Sequence, residues 1–79
     1  MTVTVYTKPA CPGCTATTRK LTALGVTFTE RPAAAHIATL RDLGASQAPV
    51  VLIHDAGALA GWWSGYRPER LAALAGVMA

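Results

Sequence analysis

The stretch Lys8-Pro9-Ala10-Cys11-Pro12-Gly13-Cys14 holds the only two cysteines of this 79-residue chain. It directly follows a run of β-branched residues over 2–7, and a segment of helical character over 15–24 comes after it. Two cysteines separated by two residues, where a strand turns into a helix, are typical of a dithiol redox centre. The stretch therefore predicts the first strand-helix unit and the chemistry that it carries.

The start of the helix favours a reactive sulfur on Cys11. If Cys11 is the N-cap residue, the backbone N–H groups of Gly13 and Cys14 point back at its sulfur. Pro12 suits the first helical position, where a missing N–H costs nothing. The positive end of the helix dipole favours a thiolate, and such motifs lower the thiol pKa from about 8.5 to about 7 or below. Lys8 either adds a positive charge nearby or is simply solvated.

These positions predict a division of roles between the two cysteines. Cys11 is expected to be the nucleophile, and Cys14, one helical turn further in, to be the resolving cysteine. A zinc site is the alternative, but it needs two more ligands, and only His36 and His54 are available, outside finger spacing. We expect no metal, and we expect both histidines to be ordinary surface residues.

Composition predicts a single domain, 1–79, because 52% of the residues are hydrophobic and the mean hydropathy is +0.34. No apolar run approaches the roughly 20 residues of a membrane span, and Lys8 and Pro9 interrupt any signal-peptide pattern. We therefore expect a cytoplasmic protein with no membrane contact, and in that compartment a dithiol is catalytic rather than structural.

The charge pattern speaks against a nucleic-acid-binding protein. The net charge is +3, but only 14% of the residues are charged and the basic residues are scattered. No basic stripe and no groove-reading motif is present. We expect acidic protein partners rather than nucleic acid, and a monomer that keeps its reactive edge free.

Hydrophobic periodicity predicts the order β-α-β-α-β-β-α, with strands over 2–7, 26–31, 50–53 and 61–64 and helices over 15–24, over 33–43 and from Pro68 onward. A turn is expected over 54–60. The core-facing residues of the helices are predicted to be Cys14, Thr18, Leu21, Leu24, Ile37, Leu40, Leu43, Leu71 and Leu74. With the cysteine pair after the first strand, this order is the thioredoxin-like α/β arrangement in its minimal form, its first two strands parallel through a right-handed crossover.

Four blocks of sequence resemble NrdH-type redoxins, which are glutaredoxin-like proteins that behave functionally like thioredoxins. The resemblance covers nearly the whole chain, and the Trp-Ser-Gly-aromatic-Arg-Pro block is its most specific part. The blocks are Thr7-Lys8-Pro9-Ala10-Cys11, Leu43-Gly44, Gln47-Ala48-Pro49-Val50-Val51 and Trp63-Ser64-Gly65-Tyr66-Arg67-Pro68-Glu69-Arg70.

The resemblance implies a glutaredoxin-type, four-stranded mixed sheet of order 2-1-3-4 flanked by three helices. It also implies electrons from NADPH through thioredoxin reductase, a class Ib ribonucleotide reductase as recipient, and no bound cofactor. A cis Ala48–Pro49 bond facing Cys11 is implied as well, although Pro49 alone could equally be a proline at a strand entry. Pro12-Gly13 departs from the Val-Gln pair common in the family, which bears on the reduction potential more than on the reaction.

The most specific block also holds the expected partner-binding residues, Trp63, Ser64, Gly65, Tyr66 and Arg67. Of two adjacent tryptophans in a strand, one is expected in the core and the other partly exposed as a docking residue, and core packing or a solvated aromatic without a docking role is the alternative. Glutathione-linked glutaredoxins place acidic residues in this block, whereas no carboxylate precedes Glu69 here. Two rivals stay open: a glutathione- or mycothiol-dependent glutaredoxin, and a non-enzymatic protein-binding or zinc-binding module.

Overall fold

The computed structural model describes residues 1–78, so Ala79, the end of the predicted domain, lies outside the described residues. A short 3₁₀ helix, Ala33–His36, precedes the second of the α-helices. The described chain forms four strands and three α-helices, in the order β1 (Thr2–Thr7), α1 (Pro12–Ala23), β2 (Thr29–Pro32), α2 (Ile37–Leu43), β3 (Val50–Asp55), β4 (Ala58–Ser64) and α3 (Pro68–Met78).

The four strands form one mixed sheet in the order β2-β1-β3-β4. β1 and β2 are parallel and joined through α1, whereas β3 is antiparallel to both β1 and β4. In this register Tyr6 pairs with Val50, which pairs with Ser64. The predicted fold class and strand order are confirmed. The end of β1, the start of β3 and the end of β4 therefore lie side by side at one end of the sheet. The cysteines follow β1 directly at this end, which we call the cysteine edge.

Each face of the sheet carries its own hydrophobic core. Val3 and Val5 of β1 pack with Leu21 of α1 and with α3, while Tyr6 packs on the other face with Leu40 of α2. Side chains alternate along a strand, so neighbouring residues serve different cores. The sheet is thus packed against helices on both of its faces.

Three predicted strands have wrong bounds: the second strand, and the third and fourth strands, which flank the predicted turn. The second strand is Thr29–Pro32 rather than 26–31, because Val26 is taken into the core before the chain reaches the sheet. The predicted turn over 54–60 shrinks to Ala56 and Gly57, which have φ of 52° and 83°. Two left-handed residues make the tight turn that hairpins favour, and an alanine in the first position hides that turn in the sequence.

The predicted second helix is also corrected. It is divided into the 3₁₀ helix and α2, and this rotates Ile37 outward: its side chain is 63% exposed instead of facing the core. In α1 the fully buried threonine is Thr17, not Thr18, because spacings of three and four residues place it between Cys14 and Leu21 on one face.

Candidate active site

The two cysteines form a disulfide at the start of α1, with their Cα atoms 5.2 Å apart. Cys11 is the N-cap residue, as predicted, with extended φ and ψ of −120° and 97°. The backbone N–H of Cys14 donates a hydrogen bond to the Sγ of Cys11, with N and S 3.1 Å apart. Cys14 is buried, whereas Cys11 is partly exposed. The sulfur of Cys11 is thus partly exposed and accepts a backbone hydrogen bond, whereas the sulfur of Cys14 is buried.

A strained turn presents Cys11. Ala10, directly before it, has a φ of 53°, which is the left-handed region that L-residues other than glycine rarely occupy. Pro12 takes the first position of α1, where no N–H is needed. Lys8 is exposed and forms no ion pair with any described carboxylate. Sequence reasoning missed Ala10, because nothing in its residue type signals a positive φ.

Pro49 forms the wall opposite the helix start. The Ala48–Pro49 bond is cis, as the resemblance implied, and Pro49 is buried. A Cβ atom added to Gly13 would lie 3.3 Å from the Cδ of Pro49 and 3.8 Å from the Cβ of Tyr66. The backbone N–H of Gly65 donates to the Pro49 carbonyl at 2.8 Å. Gly13 and Pro49, two of the predicted supporting residues, therefore meet the residues that follow β4.

The two tryptophans separate as predicted, but the docking role expected of Trp63 is corrected. Trp63 belongs to the core that includes residues of α1 and α3 and has 9% of its surface exposed, and Trp62 is the partly exposed one. Tyr66 is 42% exposed. The sheet's pleat decides this: Trp63 pairs with Val51, which is fully buried on the same face.

Two of the clefts at this end of the sheet share Ser46 as a wall residue. The apolar cleft has a volume of about 430 Å³ and includes Lys8, Ile37 and Ala48 in its wall. The arginine cleft has a volume of about 340 Å³; we define it by Ser46, Trp62, Arg67 and Arg70. Sequence reasoning missed Arg70, although its spacing of three from Arg67 at a helix start indicates neighbouring side chains.

The histidines do not join the cysteines. The ring of His36 stands edge-on to the buried Tyr6, with ring centroids 5.2 Å apart, and His54 lies on β3. Within residues 1–78, no three histidine, cysteine or acidic side chains are close enough to hold a metal ion together. None of the described helices has both the length and the apolar character that crossing a membrane requires.

A surface sulfur under an N–H donor, with a buried sulfur one turn further along the helix, can exchange a disulfide with another molecule and release it again. On a mixed sheet of this order, the redox-active Cys11–Cys14 pair defines a thiol-disulfide oxidoreductase of the thioredoxin-like fold.

Comparison with known proteins places the chain within this class. Residues 3–56 match the family model described as Glutaredoxin. The NrdH-redoxin of Escherichia coli, described as a glutaredoxin-like protein with a thioredoxin-like activity profile, is 32% identical; the match covers 94% of this chain and 95% of that one, with a TM-score of 0.81. This chain belongs to the glutaredoxin family, as a glutaredoxin-like redoxin of the NrdH type.

Other solved structures agree on the fold. The thioredoxin-like protein BC3987 is 30% identical over 91% of this chain and 97% of its own, with a TM-score of 0.72. Desulfothioredoxin from Desulfovibrio vulgaris Hildenborough is 23% identical over 96% of this chain and 79% of its own, with a TM-score of 0.78, and shows the fold alone. No curated protein matches the sequence at a significant level.

Proposed function

We propose that this chain is a dithiol electron carrier that reduces disulfides in other proteins. The Cys11 thiolate attacks one sulfur of the partner disulfide, forms a mixed disulfide, and expels the partner's other sulfur as a thiolate. Cys14, as a thiolate, then attacks the Cys11 sulfur and expels the partner as its dithiol after protonation. The partner gains two electrons, and the chain ends with the Cys11–Cys14 bond.

One observation carries the assignment of roles: only the sulfur of Cys11 combines exposure with a backbone donor. The 3.1 Å contact from the Cys14 N–H lies at the positive end of α1, and both features stabilise negative charge on the Cys11 sulfur. Cys14 is 4% exposed, so a protein substrate cannot reach it, but it is close enough to Cys11 to bond to it. We assign Lys8, the helix start at Pro12 and Gly13, and Pro49 as the residues that support the geometry of the two cysteines.

The proposed electron donor is NADPH through thioredoxin reductase, and the proposed recipient is a class Ib ribonucleotide reductase. The similarity to the Escherichia coli NrdH-redoxin supports this assignment, since that protein has a thioredoxin-like activity profile. The proposed location is the cytoplasm, where dithiols are kept reduced and can cycle. No step needs a bound cofactor, because both electrons travel on sulfur.

A glutathione-linked activity is the rival within the same family. The segment between β4 and α3 speaks against it, because Tyr66 and Arg67 stand where glutathione-linked members place carboxylates. Arg67 is exposed, and its Nε donates to the Ser64 carbonyl at 3.1 Å. A cationic side chain held there offers no partner to the ammonium group at the amino end of the tripeptide.

The test compares two electron sources for the same protein. Oxidised chain is mixed with NADPH and thioredoxin reductase, and in parallel with glutathione, glutathione reductase and NADPH, while insulin disulfides serve as the acceptor. We expect turnover with thioredoxin reductase and at most trace turnover with glutathione.

The Cys11→Ser variant is the control for background reduction in both assays. Turnover with glutathione alone would transfer the protein to the glutathione-linked class. Inactivity in both assays, with one zinc ion bound per chain, would favour a binding module.

A further inference from the structure

We propose that the arginine cleft binds the carboxylate groups of an acidic segment on the reductase that opens the Cys11–Cys14 disulfide. This inference rests on the proposed function and adds the chemistry by which the partner is recognised. Its anchors are Arg67 and Arg70, with Trp62 and Ser46 completing the wall.

Among the described residues 1–78, the two guanidinium groups have no carboxylate partner. The ion pair found among residues 1–78 joins Arg41 to Asp42, at 3.9 Å, on the exposed surface of α2. Glu69 lies between the two arginines in sequence, but adjacent side chains on a helix do not face each other, and it pairs with neither. Both positive charges are therefore available to an incoming anion.

Both guanidinium groups are also held in place before any partner arrives. The Nε of Arg67 donates to the Ser64 carbonyl, so the remaining N–H groups of this guanidinium are free. The guanidinium carbon of Arg70 lies 5.7 Å from the ring centroid of the buried Trp63, within the range of a cation–π contact. Arginines oriented in this way bind carboxylates with two parallel hydrogen bonds and lose little side-chain entropy.

The cleft lies at the same end of the sheet as the cysteines. Ser64 ends β4 at the cysteine edge of the sheet, and Gly65, its neighbour, is hydrogen-bonded to Pro49. Tyr66, next in the chain, approaches Gly13 of the helix that carries both cysteines. A segment bound to Arg67 therefore brings its own protein to the end of the sheet where Cys11 lies. The N-terminus of α3, whose first turn contains Arg70, adds a partial positive charge to the same cleft.

A carboxylate segment fits this cleft better than a free phosphate does. The wall combines the two cations with the partly exposed indole of Trp62, and an aromatic beside arginine is the composition of protein interfaces. The net charge of +3 likewise favours acidic proteins as partners.

Two experiments test the proposal, and the first uses the reductase. The variant Arg67→Gln/Arg70→Gln is compared with Arg19→Gln/Lys20→Gln, which removes the same charge from α1 without touching the cleft. We expect the cleft variant to raise the KM for the carrier roughly tenfold with little change in kcat, and the control pair to change KM less than about threefold. The reaction of both reduced variants with a small aromatic disulfide, and their thermal unfolding, verify that the site is intact.

The second experiment needs no reductase, so it stands even if thioredoxin reductase is not the donor. A blocked Glu-Gly-Glu-Gly-Glu peptide is titrated into the ¹⁵N-labelled wild-type chain and followed by NMR. We expect shifts at the Trp62 indole N–H and the Ser46 amide that disappear in the cleft variant.

The outcomes are distinct. Equal KM changes in the cleft variant and the control pair would overturn the proposal, as would tighter binding of inorganic phosphate than of the peptide. If thioredoxin reductase does not reduce the wild-type chain but the peptide still binds, the donor assignment is rejected, and the cleft remains a site for an acidic segment of another redox partner.

Discussion

Gly13 packs so closely against Pro49 that a Cβ atom on the glycine would lie 3.3 Å from the Pro49 Cδ. The helix that carries the cysteines and the loop before β3 are therefore in direct contact at this point. This contact gives a physical reason for the glycine in the Pro12-Gly13 pair, because any larger residue at position 13 must push the two walls of the site apart.

Gly13→Ala is expected to lower the free energy of unfolding by about 1 kcal/mol, because the cost of overpacking, about 1–3 kcal/mol, exceeds the helix-propensity gain of about 0.5–1 kcal/mol. Gly76→Ala in α3 is the matched control, since its added Cβ meets no atom within 4 Å, and it should stabilise the protein by about 0.5 kcal/mol. Denaturant unfolding of the oxidised proteins measures both. A stabilisation by Gly13→Ala would show that Pro49 yields freely.

Ala10→Gly is expected to stabilise the oxidised protein by up to about 1 kcal/mol. The left-handed conformation at φ 53° costs an alanine roughly 1–2 kcal/mol, and glycine removes this cost. The greater conformational entropy of glycine in the unfolded chain offsets only part of that gain. Ala38→Gly inside α2 should have the opposite sign, with a loss of about 1 kcal/mol. Thermal unfolding compares the two variants, and destabilisation by both would mean that position 10 is unstrained.

Thr17→Val is expected to raise the free energy of unfolding by about 1 kcal/mol. The Thr17 hydroxyl is fully buried and has no hydrogen-bond partner, so a methyl group of the same shape removes a desolvation cost. Its neighbour Thr18 donates to the Thr15 carbonyl at 3.1 Å near the surface, and Thr18→Val should stay within about 0.5 kcal/mol of the wild type. A clear loss of stability in Thr17→Val would reveal a partner for that hydroxyl in solution.

The two cysteines are expected to respond differently to replacement. Cys11→Ser should abolish turnover, because no thiolate remains at the surface and a serine hydroxyl does not attack disulfides. Cys14→Ser should still attack a partner disulfide and then stop at the mixed disulfide, which non-reducing electrophoresis and intact-mass spectrometry detect as a covalent complex. Rapid turnover by Cys14→Ser would contradict the resolving role of Cys14.

The Cys14→Ser variant also isolates the titration of Cys11. The N–H donor and the helix dipole should lower the pKa of the Cys11 thiol below the value of about 8.5 for a free cysteine. The rate of alkylation by iodoacetamide should therefore stay high at neutral pH and fall as the pH drops through this lowered pKa. The same variant unfolded in urea is the control, and an identical midpoint in both states would contradict the N-cap effect.

The catalytic pair and the fold could be read from the sequence because their signals are local. The Cys-x-x-Cys spacing, the proline after the first cysteine and the β-branched run before it specify the first strand-helix unit through caps and backbone preferences. The alternating order of strands and helices then leaves few topologies, since crossovers are right-handed. The confirmed sheet order and the N-cap position of Cys11 belong to this part.

The surfaces beside the pair were decided by tertiary packing. Which tryptophan is buried depends on the pleat of β4 against β3, and the exposure of Ile37 depends on a break that divides the predicted helix. Both outcomes depend on how a segment packs against the rest of the fold, and residue types alone carry no record of that packing. The sequence by itself thus determined where the sulfur chemistry occurs, whereas the tertiary structure determined what surrounds it.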